Sequence, residues 1–97
     1  MKFIFHPKAA KDVREIVAKY AAISADLSDR FWDELESAID SIVTVPERHH
    51  YDPVGLRRTN LKKFPYHILF EVRLDGCFII VVRHHRRNPA YGLRRTR

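Results

Sequence analysis

The sequence predicts an α+β sandwich in the order β-α-α-β-β-β, with a helical hairpin packed on one face of a small sheet. Three observations carry this: two consecutive stretches of helical apolar spacing, a strictly alternating run from Tyr66 to Leu74, and an Asp75-Gly76 turn leading into a β-rich return from Cys77 to His84. Ninety-seven residues, 45% of them apolar, give one core. With no repeat, linker or low-complexity segment, residues 1–97 form a single domain that ends in a basic tail from about residue 86.

Lys2 to His6 is a short strand with Phe3 and Phe5 on one side, closed by Pro7. From Lys8 an amphipathic helix begins: Ala10, Val13, Val17 and Tyr20 fall on one stripe with Ile16 beside them, and Lys11, Asp12, Arg14, Glu15 and Lys19 face elsewhere. Ser24 and Asp26 offer N-cap oxygens for a second helix. Its stripe is Leu27, Phe31, Leu35, Ala38, Ile39 and Ile42, with Trp32 at the edge of the core, and Pro46 stops it. The short link from Ala21 to Ser24 makes the two helices an antiparallel hairpin. Residues 47–55 read as loop, and His49-His50 within them has no special purpose; Leu56 to Leu61 is a short basic strand.

If Asp75 and Gly76 are the two loop residues, Leu74 faces Cys77, Phe70 pairs with Val81, Leu69 with Val82 and His67 with His84. One sheet face then carries Ile68, Phe70, Val72, Leu74, Cys77, Ile79 and Val81, suited to covering by the helices. The other is mixed, and its polar end holds the histidines.

The formal charge of +6 is unevenly distributed. Residues 1–54 carry seven Lys or Arg against ten Asp or Glu, whereas residues 55–97 carry eleven against two. The segment from Arg83 to Arg97 holds six arginines (Arg83, Arg86, Arg87, Arg94, Arg95, Arg97) and no acid. Such a block grips phosphate or an acidic protein segment, or, for Arg94 to Arg97, is a solvated tail. A single cysteine, Cys77, leaves no disulfide framework and no thiolate zinc cluster. The longest apolar run, Cys77 to Val82, is too short to span a bilayer, and Met1-Lys2-Phe3 opens no secretory signal, so a soluble cytoplasmic protein is expected.

Candidate chemistry concentrates at the exit of the last strand. His84, His85, Arg87 and Tyr91 could converge there with His67, and Arg57, Arg58, Lys62, Lys63, Arg86 and Arg94 supply surrounding cations. Metal-independent RNA cleavage needs a base for the 2′-hydroxyl, an acid for the leaving 5′-oxygen and fixed cations around the phosphate. Histidine and tyrosine serve the first two and arginine the third. Each residue also has a plainer role: a histidine at a strand end is commonly structural, and Tyr91 can simply pack the tail. A metal site is the poorer account, since adjacent strand histidines point to opposite faces and no carboxylate or cysteine stands at ligand spacing. No metal and no cofactor is expected.

These residues, in order, resemble a known family. Phe5-His6-Pro7-Lys8-Ala9-Ala10-Lys11-Asp12-Val13, the acidic second helix ending at Pro46, Leu56-Arg57-Arg58, Phe64-Pro65-Tyr66-His67-Ile68, and His84-His85-Arg86-Arg87-Asn88-Pro89 leading to Tyr91 resemble the RelE/ParE superfamily of type II toxin–antitoxin toxins, across essentially the whole chain. The resemblance implies the same β-α-α-β-β-β sandwich and a cognate antitoxin that folds on the toxin. It also implies one of two activities. RelE-like members cut mRNA on the ribosome, and ParE-like members poison DNA gyrase without cutting RNA. His67 stands where RelE-like toxins often have an arginine, and His84 or His85, Arg87 and Tyr91 fall on their post-strand His/Arg/Tyr cluster, which inclines the sequence toward the ribonuclease. A degenerate member that only binds its antitoxin is the remaining alternative.

Overall fold

A computed structural model describes residues 2–53 and 55–95; Arg97 of the basic tail lies outside the described residues. The chain runs β1 (Phe3–Phe5), α1 (Pro7–Ala21), α2 (Ala25–Thr44), a 3-10 turn (Pro46–Arg48), β2 (Arg57–Asn60), β3 (Tyr66–Arg73) and β4 (Gly76–His84). The sheet order is β1-β4-β3-β2, with β1 parallel to β4 and the other neighbours antiparallel. This is the expected α+β order, with the helical hairpin on one sheet face. No helix among the described residues is long and apolar enough to cross a membrane.

Local chemistry sets the helix boundaries. Pro7 occupies the first turn of α1, where its missing N–H costs nothing, and the His6 ring caps that turn by accepting from the Lys8 N–H at 3.0 Å. Ser24 caps α2 as predicted, its Oγ accepting from the Leu27 N–H at 3.0 Å. On α2 the predicted stripe is the buried one, with Phe31, Leu35, Ile39 and Ile42 sealed, while Trp32 is exposed. On α1 the buried seam is Ala9, Asp12, Val13 and Ile16, rotated from the Ala10–Val17 line. Asp12, expected to face elsewhere, is therefore inside.

The β3–β4 hairpin forms, but with a different register. Arg73 pairs with Gly76, so Leu74 and Asp75 are the loop residues, and neither has positive φ. Phe70 consequently faces Ile79 rather than Val81. A bulge beside Leu69 then offsets the ladder by one residue, so that Leu69 pairs with Val81, His67 with Arg83 and Tyr66 with His84. Such an offset exchanges faces. Val82 turns toward the helices and Val81 away from them, and the predicted pairing of His67 with His84 is replaced by His67 with Arg83.

Two apolar clusters result. The larger lies between helices and sheet and includes an aromatic group in which Phe31 meets Phe64 and Tyr66 edge-on at 5.3 and 5.8 Å between centroids. The smaller, Leu69, Phe78, Ile80 and Val81, lies on the opposite face, packed by Leu56, Tyr91 and Leu93. The C-terminal segment thus folds back across the sheet.

Candidate functional site

The predicted site residues divide between the two sides of the sheet. On the face away from the helices, Arg83, His67 and His85 form a chain of side chains. Arg83 Nε donates to His67 Nε2 at 2.9 Å, and the two Nδ1 atoms of His67 and His85 lie 2.9 Å apart, with the rings nearly parallel. Arginine cannot accept, so His67 Nε2 must; the proton of a neutral His67 then sits on Nδ1 and is donated to His85. His85 in turn keeps its own proton on Nε2, at the ring edge away from His67. Each member of the chain donates toward the surface.

Charge and burial enforce this state. Burial, followed by the charges of Arg58 and Arg83, pushes the His67 pKa down to about 3. Burial, then Arg58 and His84, lowers that of His85 as well. Arg58 reaches the same place from β2: its guanidinium lies 3.5 Å from His85 Nδ1, donates to Asp52 at 3.1 Å and to Asn60 at 2.8 Å, and so is held in a fixed pose.

His84 does not join this group. It pairs with Tyr66 in the ladder, its ring lies edge-on to Tyr66 at 5.2 Å, and its Nδ1 accepts from the Arg86 N–H at 3.0 Å. The bulge decides which of the two adjacent histidines meets His67.

Tyr91 belongs to a third arrangement centred on Asp12. The Tyr91 hydroxyl donates to Asp12 Oδ1 at 2.6 Å, Arg95 donates to both carboxylate oxygens at 2.7 and 3.1 Å, and the Val82 N–H donates to Oδ2 at 3.1 Å. The hydrogen bond to Asp12, with burial, raises the Tyr91 pKa. Its ring is flanked by two guanidiniums, Arg87 at 3.9 Å and Arg95 at 4.9 Å from the centroid. Arg95 also donates to the Ile80 carbonyl, and Arg83 donates to the carbonyls of Pro89 and Tyr91, so these side chains pin residues 89–95 over the sheet. This answers the alternative of a solvated tail for Arg95.

The remaining predicted cations stand apart. Arg57 packs on the Tyr51 ring at 4.3 Å and donates to the His49 carbonyl, closing the loop before β2. Lys62 and Lys63 are exposed in the β2–β3 connection, where the Lys63 backbone N–H donates to Glu34 at 2.7 Å. Arg86 and Arg94 are exposed. Among the described residues no three His, Cys, Asp or Glu gather as a metal would require.

Sequence reasoning missed Asp12 and gave Arg83 and Arg95 no individual role. For Asp12 a signal existed: on a helical wheel centred on Ala9, Val13 and Ile16 it falls inside the seam. For the arginines none did, because their partners are set by the bulge and by the fold-back of the tail.

A family model described as "ParE toxin of type II toxin-antitoxin system, parDE" matches residues 3–89. No curated protein matches the chain. The match takes in the helical hairpin, the whole sheet and the His84–Pro89 segment. The chain therefore belongs to the ParE toxin family of type II toxin–antitoxin systems, within the RelE/ParE superfamily, and its family implies a cognate antitoxin.

Proposed function

We propose that this toxin arrests growth as a ParE-like poison, by binding DNA gyrase in the cytoplasm without cutting RNA, and that its antitoxin neutralises it. One observation carries this choice: the groups nominated for proton transfer are already engaged. The acceptor nitrogens of His67, His84 and His85 take hydrogen bonds from Arg83, the Arg86 backbone and His67 respectively, and the Tyr91 hydroxyl gives its proton to Asp12. A general base needs a free lone pair within reach of the 2′-hydroxyl. What the surface at His85 and the neighbouring Arg86 and Arg87 offers instead is N–H donors and guanidinium charge, which suit binding.

The second reading, a metal-independent, ribosome-dependent mRNA endonuclease, is favoured by the position of His85. It is exposed, and its ring is held by one 2.9 Å hydrogen bond from His67 with Arg58 nearby. Swinging out would free Nδ1 beside a cation, and Arg86 and Arg87 would then hold phosphate. Two assays separate the readings. In a gyrase supercoiling assay the purified toxin is expected to inhibit or to trap cleaved DNA, and the antitoxin to reverse this. Primer extension on a reporter mRNA in a translation extract is expected to show no toxin-dependent cuts. Cuts in coding codons that disappear in His84→Ala/His85→Ala, with supercoiling unaffected, would establish the endonuclease instead.

A further inference from the structure

Away from the His67–His85 group, a groove of about 620 Å³ opens between the first turns of α1 and the C-terminal turn. Lys8 and Lys11 line one wall, and Arg87 and Arg94 line the other. A second cavity of about 300 Å³ shares Asp12, Glu15, Arg87 and Tyr91 with it and continues toward Lys19 and His84. The two make one channel along α1, and at a rise of 1.5 Å per residue Lys8 and Lys19 lie about 16 Å apart along the helix.

We propose that this channel binds the phosphodiester backbone of a nucleic acid without reading its bases. Among the described residues Lys8, Lys11, Lys19, Arg87 and Arg94 make no ion pair, and all five side chains border the channel. Asp12, which would oppose an anion, is already neutralised by Arg95 and Tyr91. Glu15 is left as the opposing charge. The chemistry favours phosphate over an acidic protein segment. Protein partners anchor in apolar pockets, and here the apolar lining, Ile16, Tyr66 and Val82, is confined to the smaller cavity. In the larger, where four of the five cations stand, Ala90 is the sole aliphatic residue and the one aromatic ring, Tyr91, is flanked by guanidiniums. Arg87 is positioned by that ring with its donors free to fork onto a phosphate. The site does not depend on whether the toxin's target is gyrase or mRNA.

Fluorescence anisotropy with a labelled DNA duplex of about 20 base pairs and an RNA of the same sequence, from about 50 to 200 mM salt, tests this directly. For the wild type, the logarithm of the binding constant is expected to fall linearly with the logarithm of salt concentration. In Lys8→Ala/Lys11→Ala/Arg94→Ala, affinity should drop at least about tenfold and the salt slope should flatten by about 2 to 3, since each lost phosphate contact removes about 0.9. Glu15→Gln should tighten binding. The stronger of the DNA and RNA arms identifies the source of the backbone. An unchanged slope in the triple variant overturns the proposal, as does poly-glutamate binding that is equally strong and equally sensitive to the three substitutions, which would make the channel an acidic-peptide site. Circular dichroism reports whether the triple variant is folded. If it is not, failure of Glu15→Gln to strengthen binding overturns the proposal by itself.

Discussion

Asp12 and Arg95, 83 positions apart in the chain, meet in a 2.7 Å ion pair with side chains only 4% and 7% exposed. The carboxylate also accepts from Tyr91 and Val82, so its charge is met on every side. Removing one partner of such a pair leaves the other charged in a dry place, which costs about 3–5 kcal/mol. Asp12→Ala is accordingly expected to lower the thermal midpoint by more than about 10 °C in a domain of this size, followed by circular dichroism. A shift of a degree or two would mean that Arg95 finds water and that the tail is loosely held.

Acid should weaken the fold through His67. Its pKa is near 6.5 in the unfolded chain and about 3 when folded, so between those values the unfolded state binds more protons. The stabilisation from keeping His67 neutral is fully present above pH 6.5 and is lost as the pH falls toward 3. The loss is at most about 1.4 kcal/mol per pH unit. His85, also lowered, adds in the same direction. Urea unfolding at a series of pH values measures the slope, and His67→Gln should flatten it.

Gly92 is fixed by two requirements at once. Its φ is +83°, a left-handed conformation that side chains resist, and an added Cβ would lie 2.5 Å from Val81 Cγ2. Gly92→Ala should destabilise by about 1–3 kcal/mol. Val81→Ala in the same chain should recover the steric part and leave the backbone part, so a double-mutant cycle on unfolding free energies separates the two.

Phe31 is fully buried, with ring contacts to Tyr20, Phe64 and Tyr66 that join α1, α2 and β3. Phe31→Ala is expected to cost about 3–5 kcal/mol. That is a large share of the roughly 5–15 kcal/mol that holds a domain together. Denaturant midpoints would report it.

Periodicity reveals the two long helices and the β3–β4 hairpin, because α2 and β3 each bury one continuous apolar face, whereas β2 is legible only as a short basic segment and the 3-10 turn at Pro46–Arg48 runs into the stretch that reads as loop. Periodicity misplaced the hairpin turn for an instructive reason. The Asp75-Gly76 pair looks like a turn dipeptide, yet Gly76 lies in β4, where a Cβ would come 2.8 Å from the Lys2 carbonyl oxygen. The glycine answers to the approach of β1, a contact that local sequence does not encode. The site suffered the same way. That His85 rather than His84 meets His67 follows from one bulge, and a period-two pattern has no sign of where a bulge falls. Asp12 looked like surface charge because its partners lie 70 or more residues downstream.

The link between Asp12 and Arg95 also bears on the order of events in folding. Contacts at such separation close nearly the whole chain into a loop, whose entropic cost falls due only after shorter-range contacts have formed. The helical hairpin and the β3–β4 pair can assemble without it. Residues 89–95 can settle on β4 through short-range contacts such as those of Arg83 and Ile80, whereas closure of Asp12 onto Tyr91 and Arg95 is expected late, after the rate-limiting step. Weakening that closure by substitution at Asp12 or Arg95 should leave refolding rates nearly unchanged and speed unfolding. The clasp thus governs how long the folded toxin persists, and has little influence on how fast it forms.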